Sequence, residues 1–369
     1  MSAGIYIHVP FCVSKCPYCD FYSLPLTEEE ALSSYMQALI RSMQPFAGNK
    51  ADTLYFGGGT PSLLGGKRIA RLIDTAREYF SLPDDAEITL EANPADDLKE
   101  VFSAFVAAGG NRLSLGMQAS DPDRLSSLGR RHTPYQLEQA VRDAHTAGIH
   151  NFSLDMMLAT PGQDLSAVQR DVDTCVALGA SHVSAYLLKI EPGTPFFNRR
   201  DTLSLPDEDR SAELYEYTVK ALEKAGFLQY EISNFARPGR ESRHNLKYWT
   251  GEEYYGFGPA ASSFFRGHRY SYPRDLNGFL NGQTMLPDED GEIVSGGEEE
   301  YAIFRLRLTA GLEKSAFEQK FSHPIPEIWL ENARRLPGHL VQVTPNGIAL
   351  TTAGFLLSNG IIQRILFDR

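Results

Sequence analysis

Cys12, Cys16 and Cys19 fall within eight residues of a chain that has only four cysteines. The spacing, C-x3-C-x2-C, sets three thiolates on one short loop with no fourth cysteine nearby. Structural zinc takes four closed ligands, commonly from C-x2-C pairs, and here only His8 could complete the set. A [4Fe-4S] cluster held by three thiolates leaves one iron open to a further ligand. Closely spaced exposed thiols with no cofactor would be an oxidation liability. The pattern therefore reads as an iron–sulfur site, with zinc as the lesser alternative. Cys175 stands apart, among Leu165, Val168, Val172 and Val176 at helical spacing, and reads as a small core residue.

The elements that must position this loop alternate in type. Short runs at 5–9, 53–56, 87–92, 112–117, 151–158 and 182–188 are mostly too apolar for a strand with one wet face, and suit a buried parallel sheet. Between them lie helix signals. Thr27-x-x-Glu30 forms a capping box ahead of Leu32, Tyr35, Met36, Leu39, Ile40 and Met43 on one face. Thr133–Pro134 supplies an N-cap and a proline at the first helical position. Leu98, Val101, Phe102, Phe105 and Val106 form another helix that ends at Gly109. Six such units in succession predict an α/β fold, a six-unit partial (β/α) barrel, with an open doubly wound sheet as its rival. A helix follows at 207–225. The reading divides the chain into a barrel over 1–235, an irregular extension over 236–289, and a small C-terminal α+β domain over 290–369, helical or winged-helix-like.

In a parallel barrel the loops after the C-terminal strand ends build the site. The cysteines follow the first strand, "GGGTP" (57–61) follows the second, and the third ends in Glu91 before Asn93–Pro94. Gln118 ends the fourth and Asp155 lies in the fifth. Singly, each has a structural explanation: a turn, a cap, a hydrogen-bonded buried carboxylate. Together they mark one rim. Bulk properties narrow the class further. Lys and Arg number 35 against 47 Asp and Glu, a net charge of -12, and no basic stripe suggests nucleic acid as a partner. Neither an apolar run of membrane-spanning length nor a signal-peptide pattern is present, so no transmembrane segment is expected and the chain reads as cytoplasmic. Its length suits one large domain and a small one.

With Tyr18 just before the last clustered cysteine, the motif resembles the radical S-adenosylmethionine superfamily. That resemblance implies that the open iron chelates the amino and carboxylate groups of S-adenosylmethionine, and that the reduced cluster cleaves the sulfonium bond to give a 5'-deoxyadenosyl radical. It also implies S-adenosylmethionine contacts at Tyr6, Tyr18, Gly58, Gly59, Thr60, Glu91, Gln118, Arg130 and Asp155. Further motifs, "YIHVPFC", "FGGGTPS", "EANP", "RLSLGMQ", "LGRRHT", "YEISNF" and "RHNLKYW", occur in order across nearly the whole chain. They are similar to those of the HemW-type heme chaperones and of their relative, the oxygen-independent coproporphyrinogen III oxidase.

The chaperone resemblance implies heme binding at His244, Asn245, Tyr248 and Trp249, transfer of heme to client apo-hemoproteins, and an electron donor for the cluster. A histidine can supply an axial ligand and aromatics can cover a porphyrin face. Judged from the residues alone, the same stretch is a turn with a hydrogen-bonded histidine and two half-buried aromatics. The enzyme alternative is anaerobic oxidative decarboxylation of coproporphyrinogen III. Two features weigh against it: only Met1–Gly4 precede the first strand, and Phe21 stands where the oxidase carries another cysteine. This chain also has Ala159–Thr160 where relatives commonly show Gly-Leu, and Ser262 where a histidine is frequent.

Overall fold

The computed structural model describes residues 2–26, 29–288 and 293–368. Six parallel strands, β1 (Ala3–Val9), β2 (Ala51–Gly58), β3 (Glu87–Ala92), β4 (Arg112–Gln118), β5 (Phe152–Leu158) and β6 (His182–Leu187), pair in chain order. A doubly wound sheet would reverse its strand order part-way. Here the order never reverses, and the expected barrel stands. The crossovers carry α1 (Glu29–Met43), α2 (Gly66–Phe80), α3 (Lys99–Ala107), α4 (Pro134–Ala147) and α5 (Leu165–Ala177), and α6 (Glu208–Lys224) follows β6. Helix starts are set by side chains: Thr133 and Gln136 form a capping box on α4, and Asp164 and Asp207 cap α5 and α6. Thr27, of the capping box expected ahead of α1, lies outside the described residues. Cys175 is fully buried on α5.

The pleat corrects one expectation. The strands are not apolar on both faces. Ile5, Ile7, Leu54, Phe56, Ile88, Leu90, Leu113, Leu115, Leu154, Met156 and Val183 belong to the apolar core under the helices. The alternate residues, among them Tyr6, Tyr55, Thr89, Glu91, Arg112, Ser114, Ser153, Asp155, His182 and Ser184, point the other way. The barrel interior is therefore polar.

Beyond β6, β7 (Leu228–Gln229) and β8 (Asn234–Ala236) extend one edge antiparallel. The expected boundary at 235 falls inside β8. The stretch expected to be irregular is ordered. It forms helix α7 (Arg243–Thr250), then β9 (Tyr254–Phe257), parallel to β1, and β10 (Ser262–Phe265), β11 (His268–Ser271) and β12 (Leu286–Pro287), all antiparallel. Its glycines and aromatics serve a hairpin. Arg266 and Gly267, at φ of 53° and 76°, make the two-residue turn between β10 and β11, and positive φ at both positions matches the twist of the flanking strands.

The C-terminal unit runs α8 (Glu298–Arg305), β13 (Leu312–Glu313), α9 (Lys314–Phe321), α10 (Glu327–Arg335), β14 (Val341–Thr344), β15 (Gly347–Leu350) and α11 (Ser358–Phe367). Its three strands pair in the order β13-β15-β14. Backbone bonds from Ile232 to Arg307 and from Thr309 to Tyr230, 3.0 and 3.1 Å, tie it to the barrel.

Candidate cluster and cofactor site

The cysteine loop leaves β1 and closes on itself. Leu24 N–H donates to the Pro10 carbonyl at 2.7 Å and Leu26 N–H to that of Cys12 at 3.0 Å, so entry and exit lie side by side. The three cysteines are half-buried and free of disulfides. His8 is not a fourth ligand. Its Nε2 bonds the Tyr22 carbonyl at 2.9 Å, which makes Nε2 the protonated nitrogen and leaves Nδ1 to accept from the Tyr6 hydroxyl at 3.1 Å. It anchors the loop's exit instead. With His8 engaged by Tyr22 and Tyr6, the fourth ligand that structural zinc would take from it is not on offer. Three thiolates spread along a loop suit a cluster, with each thiolate on its own iron.

Two donors already point at sulfur: the Arg130 guanidinium at Cys16, 3.5 Å, and the Thr60 hydroxyl at Cys12, 3.6 Å. Arg130 also donates to the Gly116 carbonyl at 2.9 Å, while its buried Nε has no partner. An orphaned buried donor beside three free thiols suits an anionic ligand. The residues fit a cluster and a carboxylate-bearing cofactor. "GGGTP" lies against the loop, with Gly59 and Thr60 N–H groups bonding the Val9 and Phe11 carbonyls at 2.8 and 2.7 Å. A Cβ at Gly59 would sit 2.5 Å from the Phe11 carbonyl, and Gly58 has φ +112° with the His8 ring 2.8 Å from where its Cβ would be. The chain's own packing thus demands both glycines.

Inside the rim, Glu91 accepts a hydrogen bond from the Tyr55 hydroxyl at 2.8 Å, and burial pushes its carboxyl up to about 7 despite that bond. Asp155 accepts from the Ser114 hydroxyl at 2.9 and 3.0 Å and from the Ser153 hydroxyl at 3.0 Å, and burial still raises it. Tyr6 stacks on Tyr55 with centroids 6.2 Å apart. Tyr18 packs edge-on against Phe196 below the cysteines. Gln118 ends β4 at φ +62°, an uncommon conformation for a residue with a side chain. The expected cofactor residues thus gather on one end of the barrel. Tyr55 was missed by reading for chemistry at strand ends, although it sits on the alternating inner face that the sequence spells out.

The heme motif is elsewhere. His244, Asn245, Tyr248 and Trp249 ride on α7, which plugs the N-terminal end of the barrel, not in an irregular segment. Glu87 accepts from the backbone N–H groups of Arg243 and His244 at 3.0 and 2.9 Å, and Ser242 caps Asn245. His244 is 1% exposed, packed beneath Gly4, with Nδ1 at 2.8 Å from the Thr53 hydroxyl and Nε2 at 2.8 Å from the Tyr248 hydroxyl. Burial, together with the Lys247 and Arg112 cations, pushes the ring down to about 3. In this arrangement it offers no free nitrogen to a porphyrin. Both ring nitrogens are engaged within the protein, and the segment is a helix, not the expected turn. Trp249 is half-buried against Phe304 of α8. Phe21 is 67% exposed at the loop's tip, and Ser262 is exposed, bonded to Ser271 at 3.0 Å.

The sequence model of the radical SAM superfamily matches residues 6–175. The heme chaperone HemW of Lactococcus lactis is 36% identical over 98% of this chain and 97% of its own length, and that of Bacillus subtilis is 33% identical over 98% of each. The chain belongs to the HemW family of radical SAM proteins. Family membership carries a [4Fe-4S] cluster and S-adenosylmethionine with it, and these supply one-electron reductive chemistry when bound. Among solved structures, the coproporphyrinogen III oxidase of Escherichia coli, a radical SAM enzyme, superposes with a TM-score of 0.83 at 21% identity, covering 100% of this chain and 91% of the oxidase. That likeness fixes the fold alone. Among the described residues no helix is long and apolar enough to cross a membrane.

Proposed function

We propose that the protein is a cytoplasmic heme chaperone, which binds heme and passes it to apo-hemoproteins, on a radical SAM core kept reducible by an electron donor. One observation carries the reading: identity of 33–37% to proteins named heme chaperones, extending in several over nearly the full length of both chains. The coproporphyrinogen oxidase shares the fold at 21% identity. In this reading Cys12, Cys16 and Cys19 hold the cluster, and Tyr6, Tyr18, Gly58, Gly59, Thr60, Glu91, Gln118, Arg130 and Asp155 surround S-adenosylmethionine. The thiol loop, the Arg130 guanidinium with its unpartnered Nε, and the inner carboxylates support that placement. For heme, Asn245, Tyr248 and Trp249 are the motif residues left half-buried.

Hemin titration into the anaerobically prepared protein tests the proposal. A saturable Soret change, followed by transfer of the heme to an apo-hemoprotein, is the expected result. Turnover of coproporphyrinogen III with reductant and S-adenosylmethionine, without heme transfer, would assign the oxidase reaction instead.

A further inference from the structure

The rings of Tyr6, Tyr55 and His244 pack in succession, with Tyr55 between the other two. Tyr6 and Tyr55 lie 29° from parallel, and Tyr55 and His244 lie 27° from parallel with centroids 5.2 Å apart. The middle ring is the one that reaches Glu91, through the 2.8 Å bond from its hydroxyl. The bottom ring is fixed at both nitrogens, by Thr53 from the barrel wall and by Tyr248 from its own helix. His244 is thus a rigid floor under Tyr55.

A second chain ties α7 to the other carboxylate. Ser153 donates to Asp155, so His182 Nδ1–H donates to the Ser153 hydroxyl at 2.8 Å, and His182 Nε2 accepts from the Tyr230 hydroxyl at 2.9 Å. The Tyr230 oxygen in turn accepts the backbone N–H of Ser242, the N-cap of α7, at 3.3 Å. Every donor and acceptor in this chain has one consistent direction. Both rim carboxylates therefore connect through the polar interior to the helix that bears the heme motif.

We infer that His244 is a positioning residue for the S-adenosylmethionine site, holding Tyr55 against Glu91, and that it is not the axial ligand of heme. The inference rests on the reading of Glu91 as a cofactor contact. Without the imidazole, the Tyr55 ring loses its lower face, drops toward the vacated space and releases Glu91.

The experiment measures two affinities on one set of cluster-loaded variants: S-adenosylmethionine by calorimetry, and hemin by Soret titration. His244→Ala and Tyr55→Phe should each weaken S-adenosylmethionine binding roughly tenfold, the scale of a lost hydrogen bond to a charged group. The double variant should lose no more than the larger single loss, because both act on one contact. His244→Gln, which keeps a flat polar group bonded to Thr53 and Tyr248, should recover most of the affinity. A purely structural role would give additive losses and no such recovery. The hemin titration of Tyr55→Phe should match that of the wild type, and His244→Ala should retain a saturable Soret change. If His244→Ala folds poorly, Thr53→Val, which frees Nδ1, should reproduce the effect more weakly. Unchanged S-adenosylmethionine affinity in His244→Ala, or a Soret change lost in that variant alone, overturns the inference. A wild-type protein that shows no Soret change sinks the chaperone reading instead, and leaves the S-adenosylmethionine comparison readable.

Discussion

Ala159 closes β5 at φ +56°, a left-handed conformation that a Cβ makes costly. Ala159→Gly should therefore raise stability by roughly 0.5–1 kcal/mol, the relieved strain outweighing the extra freedom gained by the unfolded chain. Urea denaturation checks it, and an unchanged or lowered midpoint would contradict it. The neighbouring departure, Thr160, has its own account. It is fully buried, its N–H bonds Gln163, and its hydroxyl accepts from Arg124, whose guanidinium pairs with buried Asp171 at 2.7 Å. A leucine there would leave that Arg124 nitrogen short of a partner.

Glu231 gives a pH signature at the same scale. It is buried where the barrel meets the C-terminal unit, accepts from the Ser233 N–H at 2.8 Å and from the Asn234 amide, and is pushed up to about 7 by burial. A carboxyl whose folded value lies above its unfolded value stabilises fully below about 4.5, and that stability is gone once pH has risen past about 7. The wild-type advantage over Glu231→Gln should shrink by up to roughly 3 kcal/mol across that window. Paired denaturation curves at several pH values check it. A constant gap would refute the burial argument.

Among the elements, α7 carries the most consequence. Ser242→Ala removes the hydroxyl that accepts the Asn245 N–H, and should cost about 1 kcal/mol with faster amide exchange confined to residues 243–247. Exchange unaltered in that segment would show that the Glu87 carboxylate alone holds the helix start. Much of the framework was legible. The six runs became strands within a few residues because β-branched and aromatic residues alternate there, and Thr133, Pro134 and Gly109 marked helix ends by local chemistry alone. The inner-face polarity was equally legible in "EITLEA" and "RLSLGMQ", and was lost by reading mean apolarity instead of period. Helix α7 and strand β9 were not legible. Eight residues rich in His, Asn, Tyr and Trp are poor helix formers, and this helix stands through Glu87 and Thr53, which lie far away in sequence. The cysteine loop, by contrast, is a local motif and needed no tertiary knowledge. The position of His244 needed all of it.

For the whole molecule, the thiol loop and the polar interior separate two jobs. Substituting any one of Cys12, Cys16 or Cys19 by serine should abolish retention of iron and sulfide after anaerobic reconstitution, measured by metal analysis. Retention of a full complement in any single variant would show that a different set of ligands holds the cluster. The same variants should melt as cooperatively as the unloaded wild type, because the apolar core lies between the strands and the helices and none of the three cysteines belongs to it. A centre lined by serines, tyrosines and carboxylates contributes little to gathering a chain, because polar groups keep favourable contacts with water. If the cysteine variants do melt cooperatively, folding and loading are separate events, and the supply of iron and sulfide then decides how many copies are equipped without deciding how many exist.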